Sequence, residues 1–280
     1  MAGVIPSASS ASAFRLDRAR LFFWLYLIAA LNSFAGLALS AVAATGWLAA
    51  GLNLMGISAI LWVALAAGLQ LLRAAPADDP PTTADIWVAA LGLAAVTLPS
   101  ATISSGALTL LALYGLATSA PSSPLRRSAI IFLTVAGATL WGRLLLALFT
   151  HPLLDLDAFL VARFVGVAQE GNVIAFADGS GAMAVAPGCS SLQGISLALV
   201  FWATVNQWFE VRLSGRALAW LGAAVAATVA VNVLRIAALA HFPEHFDSIH
   251  GGLGWHVAAW VTMILVAALC VYGARREIFD

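Results

Sequence analysis

Three residues in this chain carry side chains able to do covalent chemistry at places where polar sequence meets apolar. Cys189 stands in Pro187-Gly188-Cys189-Ser190-Ser191, where a polar stretch gives way to a long apolar run. A thiol there meets water and also the positive end of the helix that follows, which favours the thiolate, its nucleophilic form. Asn232-Val233-Leu234-Arg235 puts an arginine inside a second apolar run, and His250-Gly251-Gly252-Leu253-Gly254 puts a histidine at the start of a third. The three are chemically complementary. A thiolate attacks a peptide carbonyl to form an acyl-enzyme, a histidine relays protons to the leaving amine, and an arginine stabilises the oxyanion or holds the substrate chain. Acyl transfer is the reaction class to which they point. Arg143, Ser190, Ser191, Asn232 and His256 are the further candidates for substrate binding.

The elements that position these residues belong in a bilayer. The chain has 280 residues, 62% of them hydrophobic and 9% charged, where a soluble domain carries about 25% charge. An all-α integral membrane protein is therefore expected. Net charge is zero, lysine is absent and all 13 basic residues are arginine; this is not the basic footprint of a nucleic-acid-binding protein. Apolar runs close to the ~20 residues of a helical crossing predict about eight transmembrane helices. They fall at 21–44, 47–72, 85–100, 103–119, 128–149, 189–209, 217–240 and 253–273. Ahead of them, residues 1–20 are expected to form a disordered cytoplasmic N-terminus, leaving 21–280 as one polytopic domain. The first run exceeds the roughly 7–15 residues of a signal-peptide core, so it reads as an uncleaved anchor despite Ala41-Val42-Ala43 near its end.

Basic residues collect on cytoplasmic flanks. With the N-terminus inside, Arg15, Arg18, Arg20, Arg73, Arg126, Arg127, Arg212, Arg216, Arg275 and Arg276 all share that side, leaving only Arg143, Arg163 and Arg235 to be explained. This arrangement places 77–83 and 121–127 in the cytoplasm and makes 150–188 the one long segment outside. Within it, 153–168 reads as an amphipathic interfacial helix with Leu156, Phe159, Leu160, Phe164 and Val167 on its apolar side and Arg163 on its polar side. Residues 172–176 and 182–185 read as a β-hairpin turning at Asp178-Gly179-Ser180-Gly181. At about 1.5 Å of rise per residue, Cys189, Arg235 and His250 then share one shallow layer of the outer leaflet, and Arg143 is close enough in depth to join them. Cys189 and Cys270 would lie near opposite faces, beyond the roughly 7 Å limit for a disulfide, so two free thiols are expected, with Cys270 serving packing alone.

His151, His241, His245, His250 and His256 all fall on or near the outer side, with Glu244 and Asp247 beside them, which raises a metal site as an alternative. Their spacing matches no compact zinc pattern, and no metal or cofactor is expected. Two other classes of function fit the composition. One is a transporter or exopolysaccharide-export component in which Arg143 and Arg235 bind an anionic substrate; the other is a non-catalytic assembly factor for which Cys189 is dispensable.

The order of a polar hairpin, Cys-Ser at a helix start, Asn-x-x-Arg in the next span and His-x-x-x-Gly at the last resembles the exosortase and archaeosortase family of multi-spanning membrane transpeptidases. The resemblance covers roughly residues 150–260. It implies a sortase-like cysteine peptidase with Cys189 as nucleophile, Arg235 as oxyanion or substrate-positioning residue and His250 as acid/base. It implies substrates that are membrane-anchored exported proteins with a C-terminal sorting signal of short motif, apolar helix and basic tail, and leaves the acceptor open between water and an amine-bearing glycan or lipid. It also implies the inner membrane, with the active site facing the periplasm. The family usually carries glycine two positions after the cysteine, whereas Ser191 stands there in this chain.

Overall fold

The computed structural model describes residues 17–76 and 80–279. Residues 1–16, most of the expected disordered N-terminus, and residues 77–79, part of the loop expected in the cytoplasm, lie outside the described residues. Asp17 caps the first helix, its carboxylate accepting from the Arg20 backbone N–H at 2.7 Å, so residues 17–20 of the stretch expected to be disordered are part of α1 and its cap.

The protein is an all-α membrane protein with one small sheet. Its helices are α1 (Arg18–Leu52), α2 (Ala59–Arg73), α3 (Thr83–Val96), α4 (Ala101–Thr118), α5 (Pro124–Ala136), α6 (Gly142–Leu148), α7 (Thr150–Val165), α8 (Leu192–Trp208), α9 (Gly215–His241), α10 (Phe246–His250), α11 (Leu253–Gly273) and α12 (Arg275–Phe279). Among the described residues, five helical stretches are long and apolar enough to cross a bilayer: Arg18–Leu52, Ala101–Thr118, Pro124–Leu148, Gly215–His241 and Leu253–Gly273. The expected second run, 47–72, is not one helix. Gly46 takes φ +79°, which breaks α1, and a tight turn at Leu54–Gly56 precedes α2, whose first turn is capped by Ser58. Glycine tolerates that left-handed φ where a side chain would strain it. The fifth run is continuous from α5 into α6 through a π turn at Gly137–Trp141.

The N-terminal helices pack around Phe22, Tyr26, Leu108, Leu111, Ile131 and Phe132, all fully or almost fully buried. The Tyr26 and Phe132 rings stack at 4.4 Å. Small residues admit those rings: a Cβ on Gly68 would come within 2.8 Å of Phe132, and one on Gly115 within 2.8 Å of the Tyr26 hydroxyl. Close approach at small residues is how helices associate where lipid offers no hydrophobic contrast. At one end of this bundle the buried Asp85 carboxylate accepts from Arg18 Nε at 3.0 Å, from the Tyr114 hydroxyl at 3.0 Å and from Thr82, tying α1, α3 and α4 together. Cys270 is free and buried among Ala198, Val205, Ala224 and Val266 on the α8, α9 and α11 side.

The segment between α6 and α8 holds the elements that present Cys189. The helix α7 (Thr150–Val165) forms over the expected region. Leu154, Asp157, Ala158, Val161 and Ala162 are buried, while Leu156, Phe159 and Phe164 are exposed, the last at 63%. Large apolar side chains can face lipid at no cost, and the small-residue face is the one that packs closely on protein. The hairpin is present as β2 (Val173–Ala175) and β3 (Ala182–Ala184), antiparallel, with an extra short strand β1 (Gln169–Glu170) on the outer edge of β2. Gly179 takes φ +73° in its turn, and hydrogen bonds from the Ser180 hydroxyl and backbone N–H hold the exposed Asp178 carboxyl below its usual range. The hairpin is fastened to the end of α9 by the Ala177 N–H, which donates to the Ala240 carbonyl at 2.8 Å.

Candidate active site

Cys189 does not begin a helix. It ends a tight turn, Pro187–Cys189, and α8 starts three residues later at Leu192, whose N–H donates to Ser190 Oγ at 3.3 Å. The proline and the extended Ser190 backbone stop the α8 ladder from reaching back, so the thiol stands on a short arm ahead of the helix. Its side chain is 6% exposed, against Leu154, Ile174, Val185 and Ile236 from α7, the sheet and α9.

Cys189 Sγ lies 3.8 Å from His250 Nδ1, within reach of a hydrogen bond to sulfur. His250 does not open the last long helix. It closes the five-residue α10, stacks on Phe246 with ring centres 5.1 Å apart, and is separated from α11 by Gly251-Gly252. The glycines permit that break: a Cβ on Gly252 would stand 2.8 Å from the Ser248 carbonyl oxygen, and one on Gly254 would stand 2.7 Å from Ile249 Cα. The break leaves His250 on α10, where its ring meets the thiol.

Arg235 comes from α9, six residues before its end, and is 8% exposed. Its guanidinium lies over the Trp255 ring at 4.9 Å, and its buried Nε has no hydrogen-bond partner. A buried guanidinium that keeps an unused donor is costly in a protein interior, which makes that N–H available to an incoming acceptor. Cys189, Arg235, His250 and Trp255 line one cleft of about 320 Å³. A larger cavity of about 390 Å³ adjoins it, sharing Gly188, Arg235 and Trp255, and is lined by Ser190, Ser191, Asn232 and His256 among others.

The backbone of the cysteine turn is already committed. The N–H groups of Cys189, Ser190, Ser191 and Leu192 donate to Ala186 O, Pro187 O, Asp157 Oδ2 and Ser190 Oγ. None of these four is left to receive a developing oxyanion at the thiol, whereas Arg235 Nε is.

The other candidate residues divide. Ser191 and Asn232 belong to the hydrogen-bonded surroundings of Cys189, Ser190 caps the start of α8, and exposed His256 faces the neighbouring cavity. Arg143 is exposed on α6 and lines neither cavity, so its similar depth does not bring it to the thiol. Exposed Arg163 stands on the outer side of α7. The histidines are dispersed: His241 packs on Phe242, His245 pairs with Glu244, and among the described residues no three metal-ligating side chains gather. Two contributors, Trp255 and Asp157, are absent from the sequence-derived set. The signal for Asp157 was its position among the small residues Ala158, Val161 and Ala162, the face that packs inward. The chain matches no protein-family model, no curated protein and no solved structure.

Proposed function

We propose that this chain is a membrane-embedded cysteine peptidase and transpeptidase of the exosortase type, which cleaves C-terminal sorting signals of membrane-anchored exported proteins through an acyl-enzyme on Cys189. The observation that carries the reading is the cleft where the Cys189 thiol meets His250 Nδ1 at 3.8 Å beside the unpartnered Arg235 Nε. In the reaction, the Cys189 proton passes to His250 and the thiolate attacks the scissile carbonyl carbon. A C–S bond forms as the carbonyl π electrons move onto oxygen, and the Arg235 N–H stabilises that oxyanion. Collapse breaks the C–N bond, His250 gives its proton to the departing amine, and a thioester remains on Cys189. Water or an acceptor amine then attacks the thioester and restores the thiol.

The proposed topology has eight crossings in the cytoplasmic membrane of a bacterium, with the cleft facing the periplasm. Three of them belong to shorter helices, α2, α3 and α8, of 15, 14 and 17 residues. At about 1.5 Å per residue they fall short of a hydrocarbon core of about 30 Å, a mismatch that flanking chain or local thinning absorbs. Reporter fusions are expected to place residues 121–123 in the cytoplasm and 176–181 outside. A cytoplasmic hairpin would overturn the periplasmic assignment and the substrate class with it.

Arg235→Lys is expected to lower acyl-transfer rates at least ~10-fold, although the charge is kept. An ammonium lacks both the planar fork and the flat face that lies on Trp255, so the donor would not be held toward the oxyanion. The rate of p-nitrophenolate release from p-nitrophenyl acetate measures this. Near-normal rates in the lysine variant would mean that charge alone is needed, and would favour an anion-binding role.

A further inference from the structure

We infer that Asp157 is a positioning residue for the Cys189 nucleophile, acting through Ser191 and Asn232; this rests on the cysteine mechanism proposed above. Asp157 is 6% exposed on the inward face of α7. Burying a carboxylate costs several kcal/mol unless it is fully hydrogen-bonded. Here both oxygens serve one residue: Oδ2 accepts the Ser191 N–H at 3.1 Å and Oδ1 accepts the Ser191 hydroxyl at 2.6 Å. Asn232 Nδ2 lies 2.8 Å from the Cys189 carbonyl oxygen and 3.0 Å from Ser191 Oγ.

The direction of every bond in this chain is forced. The Cys189 carbonyl can only accept, so the Asn232 amide must turn its nitrogen toward it, and the second hydrogen of that nitrogen meets Ser191 Oγ. Ser191 Oγ therefore accepts from Asn232 and must send its own proton elsewhere, and only an acceptor can receive it. Two converging donors, the Ser191 N–H and O–H, call for a group that accepts at both ends, which a carboxylate does and an amide does not.

The geometric consequence falls on the thiol. The carbonyl of Cys189 is held by α9 and the N–H of Ser191 by α7, so the peptide units that follow Cys189 are tied to two different helices. That fixes the direction of its Cα–Cβ bond toward His250. Asn232 is three residues before Arg235, on the same face of α9, so one helix sets both the cysteine turn and the oxyanion donor. The side chain at 191 is thus the link between a buried acid and the catalytic turn.

The test uses the full-length protein in detergent micelles with p-nitrophenyl acetate as acyl donor, and reads the acylation rate constant at saturation separately from the half-saturation concentration. Asp157→Asn keeps the shape but sets an N–H against one of the two donors. It is expected to lower the rate constant roughly 10- to 100-fold, the scale of a small displacement of a reacting group, with half-saturation and the unfolding midpoint unchanged. Ser191→Ala is expected to do the same, and the double variant to be no slower than the slower single variant, since both break one bond chain. An unchanged rate constant in Asp157→Asn, a change confined to half-saturation, or losses that multiply in the double variant would overturn the proposal. Should Asp157→Asn not fold, Ser191→Ala decides alone: a lowered rate constant supports the link and an unchanged one refutes it. Cys189→Ser in the same assay separates the two levels. Wild-type protein no faster than Cys189→Ser would sink the cysteine mechanism and this inference with it, whereas active wild-type protein beside an undiminished Asp157→Asn sinks the positioning role only.

Discussion

Cys189→Ala is expected to abolish acyl transfer while leaving the protein folded in the membrane. The thiol is buried against Leu154, Ile174, Val185 and Ile236, so losing the sulfur leaves a small void. Its cost is on the order of 1 kcal/mol by comparison with other large-to-small changes in cores, too little to unfold a domain of ordinary stability of about 5–15 kcal/mol. Loss of the nucleophile, by contrast, removes the covalent route altogether. Cys189→Ser fills the void and still lacks a thiolate, so it should be nearly as inactive. The measurements are p-nitrophenolate release by purified protein and, in cells, processing of a protein ending in a short motif, an apolar helix and a basic tail. Undiminished turnover by a well-expressed Cys189→Ala protein would reject the cysteine mechanism.

His250→Ala is expected to slow turnover at least ~100-fold, the usual consequence of losing a general acid/base, and His256→Ala by far less. The difference lies in where the two rings sit. His250 Nδ1 faces Cys189 Sγ, and stacking on Phe246 holds the ring in that orientation. His256 is on the first turns of α11, beyond the Gly251-Gly252 break, and lines the neighbouring cavity. The two residues stand on different helices, α10 and α11, so their relative orientation does not follow one helical periodicity. The reverse ranking of the two variants in matched membrane preparations would move the acid/base role to His256.

The class of the molecule was legible because charge is scarce: 9% charged residues cannot cover a soluble surface of this size. The meeting of Cys189, Arg235 and His250 at one cleft fits their depth, since alternating helix directions bring the starts of the sixth and eighth runs and the end of the seventh to one side. Depth says nothing about rotation around the helix axis. That is why Arg143, similar in depth, stands exposed on α6 and away from the thiol. In α7 hydrophobicity marked Leu156, Phe159 and Phe164 as the apolar side of an interfacial helix, and they stand exposed while Leu154, Asp157, Ala158, Val161 and Ala162 pack inward. Beside a bilayer both faces can be apolar, and residue size decides which one packs on protein; the small face carried Asp157 inward. The breaks at Gly46 and at Gly251-Gly252 fall inside or beside apolar runs, where composition continues although the backbone does not. Ser191, which stands where the family pattern usually has glycine, carries a hydroxyl that joins Asp157 to Asn232.

The central claim is that Cys189 forms a thioester intermediate, and covalent trapping tests it most directly. Protein treated with p-nitrophenyl acetate, quenched in acid and digested should carry an acetyl group on the peptide containing Cys189. Hydroxylamine should remove it, and the adduct should be lost in Cys189→Ala and much slower to form in His250→Ala. An unmodified Cys189 under conditions where p-nitrophenolate is released, or label confined to Cys270, would contradict the account.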